Sequence, residues 1–286
     1  MRKILKNSIF VKTLVLSLYI FFVLFTYLYL EVTDYATKTF LLAFLLTALL
    51  APFMYLLLRR SSRTELTPTE QPNRKVFWIC FLAILAVECV WYIGFRPGLF
   101  SRDSLDQYLE ATSGNYTDWH PAWHTIVTFT IPLKLTGQTG AIVLLQVLYF
   151  SLAVGYMGYV IYKRGGLWPT VLSVGYIGLN PYVSRVLMYP WKDVAFGVAG
   201  IVALTMTVEI ICDQEKRNKR WFLILLGVAA ANATIFRHNG ILFTAPLIII
   251  ALFFLPKKRL LYLLLPVARG QLIPRLPAHL LRSNPR

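Results

Sequence analysis

An all-α fold, a polytopic transmembrane helix bundle of about eight spanning helices with amphipathic surface helices in one external loop, is what this sequence predicts. Two features carry that prediction. Of 286 residues, 57% are hydrophobic and only 15% charged, more apolar surface than one water-soluble core can bury. The apolar residues also lie in continuous runs near the length of a membrane crossing, with Leu, Ala, Phe and Ile on every face, whereas an outer-membrane barrel alternates apolar and polar positions in short segments.

The candidate spans, in order, are Val11–Leu30, Thr39–Leu58, Val76–Phe95, Gly140–Tyr162, Leu167–Tyr182, Val194–Cys212, Trp221–Phe236 and Ile241–Leu255. The first follows Arg2, Lys3, Lys6 and Lys12 but has no small-residue cleavage site, so it reads as a retained helix. Residues 1–58 are then two N-terminal helices, 59–75 a polar, proline-containing cytoplasmic linker, and 76–265 a membrane core with an external loop at 96–139. Residues 266–286 form a basic, proline-broken tail after a short apolar stub at Leu260–Leu265. That tail is either bound to the membrane surface or the end of a truncated or frame-disrupted chain. The cysteines Cys80, Cys89 and Cys212 lie in or at the end of apolar segments without metal-type spacing.

The net charge of +16 suits nucleic acid only when gathered on a soluble face. Here the basic residues punctuate the apolar runs, which is a topology signal. The short run Thr125–Leu135, with Pro132 and Lys134, decides the topology. If it does not cross, the clusters Lys163/Arg164, Lys216/Arg217/Lys219/Arg220 and Lys257/Lys258/Arg259 share the cytoplasmic side with the N-terminus and linker. It is therefore read as re-entrant or surface-lying. Three polar segments then share the outer face: Phe100–His124, "NPYVSRVLMYPWKD" at 180–193, and "RHNG" at 237–240.

In the long loop, Ser104-x-x-Gln107 has the form of a capping box, and Leu105, Tyr108, Leu109 and Thr112 follow at helical spacing. This predicts a surface helix with Asp106 and Glu110 on its solvated face and Asp103 at its N-terminus. Asp103 is a cap or a functional acid. In "DWHPAWH", His120 and His124 stand four apart if helix runs through Pro121, a pair that suits zinc only with further ligands. Trp119 and Trp123 suit an interfacial aromatic belt, and a histidine here can also donate to a phosphate. Lys192 and Asp193 open a spanning helix, where snorkelling and capping explain them, and Arg237 and His238 sit in a tight turn. Acids and cations mixed in three spots on one face suggest a site for an anionic substrate and a proton acceptor. Glu88 and Glu209 lie within apolar spans, where an ionisable group is costly; Glu88 is expected to support the site and Glu209 to snorkel at the inner end.

"RPGLFSRDSLDQYLEA…YTDWHPAWHTIV", "GLNPYVSRVLMYPWKDVAF" and "RHNG" together resemble the integral-membrane GT-C glycosyltransferases, over roughly residues 95–240. The resemblance implies inverting transfer of a sugar from a polyprenyl-phosphate donor to a cell-envelope glycan, lipid or protein acceptor at the outer face of a bacterial inner membrane. On the matching positions, Asp103 is the general base, while Lys192, Arg237 and His238 stabilise the departing lipid phosphate. Asp193 and His120 orient sugar or acceptor, and Trp119 and Trp123 stack on sugar or pack against lipid. No metal ligand set is assigned, though a divalent cation is compatible with the chemistry. The chain departs from the family in having fewer spans and two helices ahead of the one before the loop. The rivals are a flippase for a lipid-linked saccharide, with polar residues near the midplane, and an inactive membrane scaffold.

Overall fold

The computed structural model describes residues 17, 40–41, 44–49, 51–52, 55–56, 73–117, 120–237 and 240–270. The chain divides into two compact units, 1–67 and 68–286. In the first, the described residues between 40 and 56 are helical, with Phe40, Leu41, Phe44, Leu45, Leu49 and Leu56 exposed. The predicted span Val11–Leu30, apart from Ser17, and almost all of the 59–75 linker fall outside the described residues.

In the second unit every described element is a helix: α1 Lys75–Gly94, α2 Arg102–Ser113, α3 Ala122–Thr125, a π-helical turn Ile126–Thr130, α4 Ile131–Thr136, α5 Gly140–Gly165, α6 Leu167–Gly178, α7 Pro181–Leu187, α8 Lys192–Cys212, α9 Gln214–Asn218, α10 Arg220–Ile235, α11 Ile241–Phe254 and α12 Lys257–Gly270. Three of them, α1, α5 and α8, are long and apolar enough to cross a membrane. Helices α6, α10 and α11 are apolar but shorter, at 12, 16 and 14 residues.

Helices α1 and α5 run antiparallel, and glycines allow them to touch. A Cβ on Gly155 would stand 2.9 Å from Cβ of Phe81, and one on Gly158 would stand 2.9 Å from Sγ of Cys80, while Gly140 lies against Tyr92 and Pro97. Small residues at such a crossing let backbones approach within a bilayer, where packing rather than the hydrophobic effect holds helices together. The C-terminal end of α1 and the N-terminal end of α5 are thus at the same end of the unit. The segment between them leaves and returns there. Pro132, near the start of α4, lacks an N–H and crowds the carbonyl of the preceding turn, and the π turn before it widens the helix to accommodate the ring.

Helix α8 runs parallel to α5. At their far ends Lys163 Nζ meets Asp213 at 2.9 Å and Tyr156 donates to Glu209 Oε2 at 2.5 Å. Helix α10 returns beside α8, so Lys216 lies 3.6 Å from Glu209 at one end and Arg237 lies 2.7 Å from Asp193 at the other. Arg217 donates to the carbonyls of Ile210 and Ile211, and Arg259 to that of Arg217. The basic clusters therefore gather at the end opposite Asp193, about 30 Å away along α8.

Four local expectations are corrected. The span predicted at Leu167–Tyr182 is broken: α6 stops at Gly178, and Asn180 caps the separate α7 by accepting from the Tyr182 N–H. Asn180 and Pro181 form a strong helix start, which overrides the continuous apolar pattern. Leu260–Leu265 is no stub but part of α12, packed against α10 with Leu263 buried; residues 271–286 lie outside the described part. Glu209 does not snorkel. It is 1% exposed, because Tyr156, Lys163 and Lys216 close over it. Glu110 is not solvated either: α2 buries its polar face, Ser104, Gln107 and Glu110, and exposes Leu105 and Leu109. Polar residues face inward here because this end of the bundle is itself polar, so the apolar face is left for the surroundings.

Candidate functional site

Helix α2 begins at Ser101 rather than at Ser104. The Ser101 hydroxyl accepts from the Ser104 N–H at 3.4 Å, as an N-cap should. It also accepts from the Trp191 indole N–H at 2.8 Å. One oxygen thus ties the start of α2 to the residue preceding α8. One further link holds these starts together, the Leu99 N–H donating to the Met188 carbonyl at 2.9 Å, while the buried Gln146 side chain of α5 fixes the segment before α8 by donating to the carbonyls of Leu187 and Tyr189, each at 2.7 Å. Gly114, at φ 73, ends α2 with its N–H on the Glu110 carbonyl, a left-handed cap that favours glycine.

Asp103 in the first turn of α2 and Lys192 and Asp193 in the first turn of α8 are consequently brought together. With Gln107 and Trp191 they line a cleft of about 190 Å³. Both carboxylates occupy helix N-termini, where the dipole favours negative charge. Asp193 is paired with Arg237 at 2.7 Å, both side chains nearly half exposed. Among the described residues Lys192 and Asp103 form no ion pair.

No protein-family model, no curated protein and no solved structure matches this chain. The chemistry of the site therefore rests on its own geometry.

Trp123 is half-buried and donates from Nε1 to Asn232 at 2.9 Å, which ties α3 to the end of α10. His120 is 1% exposed and neither ring nitrogen has a partner among the described residues. It precedes α3 rather than sharing a helix with His124, so the pair does not stand on one helical face. Among the described residues no group of three His, Cys, Asp or Glu side chains is placed to hold a metal. Glu88, buried in α1, accepts from Ser184 of α7 at 3.0 Å and does not line the cleft. Trp119 and His238 lie outside the described residues.

Two features of the site were not read from the sequence. Gln107, which the capping-box pattern marks as a cap partner, forms a wall of the cleft; its position one helical turn from Asp103, on the same face, is the signal for that role. His124 is fully buried, with its ring edge-on to Phe129 and Phe236. Burial first, then the neighbouring His120 and Lys192, hold it neutral, with a pKa lowered to about 3.

An apolar groove of about 530 Å³ lies along α8 and α10, with Tyr149 and Tyr156 of α5 also in its wall, and is lined by Ala195, Val198, Met206 and Ala229 among others. From Ala195 to Met206 it follows α8 for about 17 Å. Its upper end, at Ala195, Asn232 and Phe236, adjoins Asp193 and Arg237 in the chain.

Proposed function

We propose that the chain is an integral-membrane glycosyltransferase of GT-C type, transferring a sugar from a polyprenyl-phosphate donor to a cell-envelope acceptor with inversion. One observation carries the reading: a cleft lined by two carboxylates and a lysine reaches Asp193 of α8, and an apolar groove begins two residues further along that helix, at Ala195. That combination suits a molecule with a sugar, a phosphate and a long apolar tail. Polar groups fix its head, and the groove takes the first part of its chain.

In the reaction the acceptor hydroxyl oxygen attacks the anomeric carbon as the bond from that carbon to the phosphate oxygen breaks. The phosphate leaves with the electron pair. Asp103 takes the hydroxyl proton, a contribution of roughly 10²–10⁴-fold for a placed general base. Lys192 and Arg237 stand where negative charge grows on the leaving phosphate, and cations fixed at such a point lower the barrier. Asp193 holds Arg237 in place and, with His120, orients the sugar or acceptor; Trp123 braces α3 against α10. His238 is assigned to the phosphate and Trp119 to sugar or lipid from the sequence.

The topology that goes with this reading has about eight spans in a bacterial inner membrane, with the N-terminus and the basic end cytoplasmic. The cleft then faces outward. The positive-inside rule supports it, since the basic clusters sit at one end and the cleft at the other.

A lipid-linked saccharide transporter is the second reading. The break between α6 and α7, beside the buried Glu88–Ser184 contact, is the kind of discontinuity that transporters use. Transfer from a polyprenyl-phosphate sugar by the purified chain, compared with Asp103→Asn at equal folded yield, separates the readings. Turnover lost in the variant is the expected result. Equal turnover removes Asp103 as base, and no turnover in either, with saccharide movement across vesicles, favours the transporter; neither activity favours a scaffold.

A further inference from the structure

Gln107 is 1% exposed yet lines the cleft. Its Oε1 is 2.7 Å from Nδ1 of His124, so that nitrogen carries the proton and donates it. Nε2 of His124 is buried and has no partner among the described residues. The reverse tautomer would leave an N–H enclosed there without an acceptor, a costly arrangement, while the observed one leaves only a lone pair. With Oε1 engaged, the amide nitrogen of Gln107 is the polar end left for the cleft, and it makes no side-chain hydrogen bond among the described residues. Had the carboxamide been turned the other way, it would present an oxygen beside two carboxylates.

We infer that Gln107 is a ligand-contacting residue whose amide N–H groups donate to a phosphate oxygen held in the cleft with Lys192, and that His124 is the positioning residue that sets the orientation of that amide. The inference rests on the lipid-phosphate reading above and adds to it a donor with a defined direction. The histidine is well suited to this task, because a neutral ring donates to the amide without introducing a charge beneath it. The edges and faces of Phe129 and Phe236 hold its plane.

The test is calorimetric titration of the full chain in detergent with farnesyl phosphate, using farnesol as the same tail without the phosphate. Gln107→Met keeps the volume and removes the donors; His124→Phe keeps a ring and removes the clamp; His124→Asn keeps an N–H near the Nδ1 position. Gln107→Met and His124→Phe are expected to weaken farnesyl phosphate binding about tenfold each, the usual scale for a hydrogen bond to a charged group. Farnesol binding should not change, and His124→Asn should restore most of the loss. Because both residues act through one amide, the double variant should bind no worse than Gln107→Met alone. Wild-type affinity in Gln107→Met, or losses that multiply in the double variant, would overturn the assignment while leaving the phosphate reading intact. If the wild-type chain does not prefer farnesyl phosphate to farnesol, the phosphate reading fails and this assignment with it. Far-ultraviolet circular dichroism and melting temperature confirm that each variant is folded before titration.

Discussion

The indole N–H of Trp191 donates to the hydroxyl oxygen of Ser101 at 2.8 Å, and the same oxygen caps α2. These residues are ninety positions apart, yet the contact sets the distance between the first turns of α2 and α8. Since Asp103 stands in one of those turns and Lys192 and Asp193 in the other, the cleft owes its width to this shared acceptor. Tyr189 stacks on the Trp191 ring at 4.5 Å between centroids, which further limits where the indole can point.

Replacing Ser101 with alanine removes a cap and a tertiary hydrogen bond together. The expected loss is about 1–2 kcal/mol of stability, read as a lower melting temperature in detergent. Ser101→Thr keeps an oxygen at the cap and should retain most of it. A melting temperature unchanged by the alanine variant would mean that the two helix starts are held by the Leu99–Met188 contact instead.

The Asp193–Arg237 pair should matter for ligand binding far more than for folding. Its side chains are 46% and 44% exposed, and exposed pairs contribute only about 0.2–1 kcal/mol. Arg237→Met is therefore expected to leave the melting temperature nearly unchanged while weakening farnesyl phosphate binding by about tenfold. Unfolding and binding measured on the same preparation check this. A large drop in melting temperature with intact binding would assign Arg237 to structure.

Acid should destabilise the site through His124. Its folded pKa of about 3 lies below the ordinary 6.5, so between those values the unfolded chain binds a proton that the folded chain refuses. Stability is then unaffected above about pH 6.5 and falls as pH drops towards 3, by at most about 1.4 kcal/mol per pH unit. His120 and Lys192 add to the effect, since each opposes a second positive charge nearby. Melting curves of wild type and His124→Phe between pH 4 and 8 check it. The wild type should lose the more on acidification, and parallel curves would count against a neutral buried His124.

Two glycines on different helices should respond in opposite directions to alanine. A Cβ at Gly227 would stand 2.4 Å from the Leu263 carbonyl oxygen of α12, a backbone atom that cannot turn aside, whereas at Gly175 in α6 nothing lies within 4 Å. Gly227→Ala is expected to cost about 1–3 kcal/mol by forcing α10 from α12. Gly175→Ala should be neutral or gain up to about 1 kcal/mol from helix propensity. Thermal unfolding of the two variants side by side decides the matter.

Much of the helical framework was legible in the residues alone. Apolar runs at Val76–Phe95, Gly140–Tyr162 and Val194–Cys212 became α1, α5 and α8 almost as bounded, because a long stretch without polar breaks satisfies its backbone only as helix. The gathering of the basic clusters at one end, away from Asp103, Lys192, Asp193 and Arg237, also followed from charge placement. Where periodicity misled was the inward face of α2, since it put Glu110 on the solvated side and the structure buries it. Ser104, Gln107 and Glu110 compete with Leu105 and Leu109 for that role, and both sets have helical spacing. Only the tertiary structure decided it, because the partners of the polar face lie beyond the helix: His124 for Gln107, and Thr117 in the following loop and Thr125 for Glu110. The break at Asn180 and the choice of Ser101 over Ser104 as cap have the same origin. Short-range patterns permit several hydrogen-bonding solutions, and the long-range partners, Glu88 for Ser184 and Trp191 for Ser101, select one.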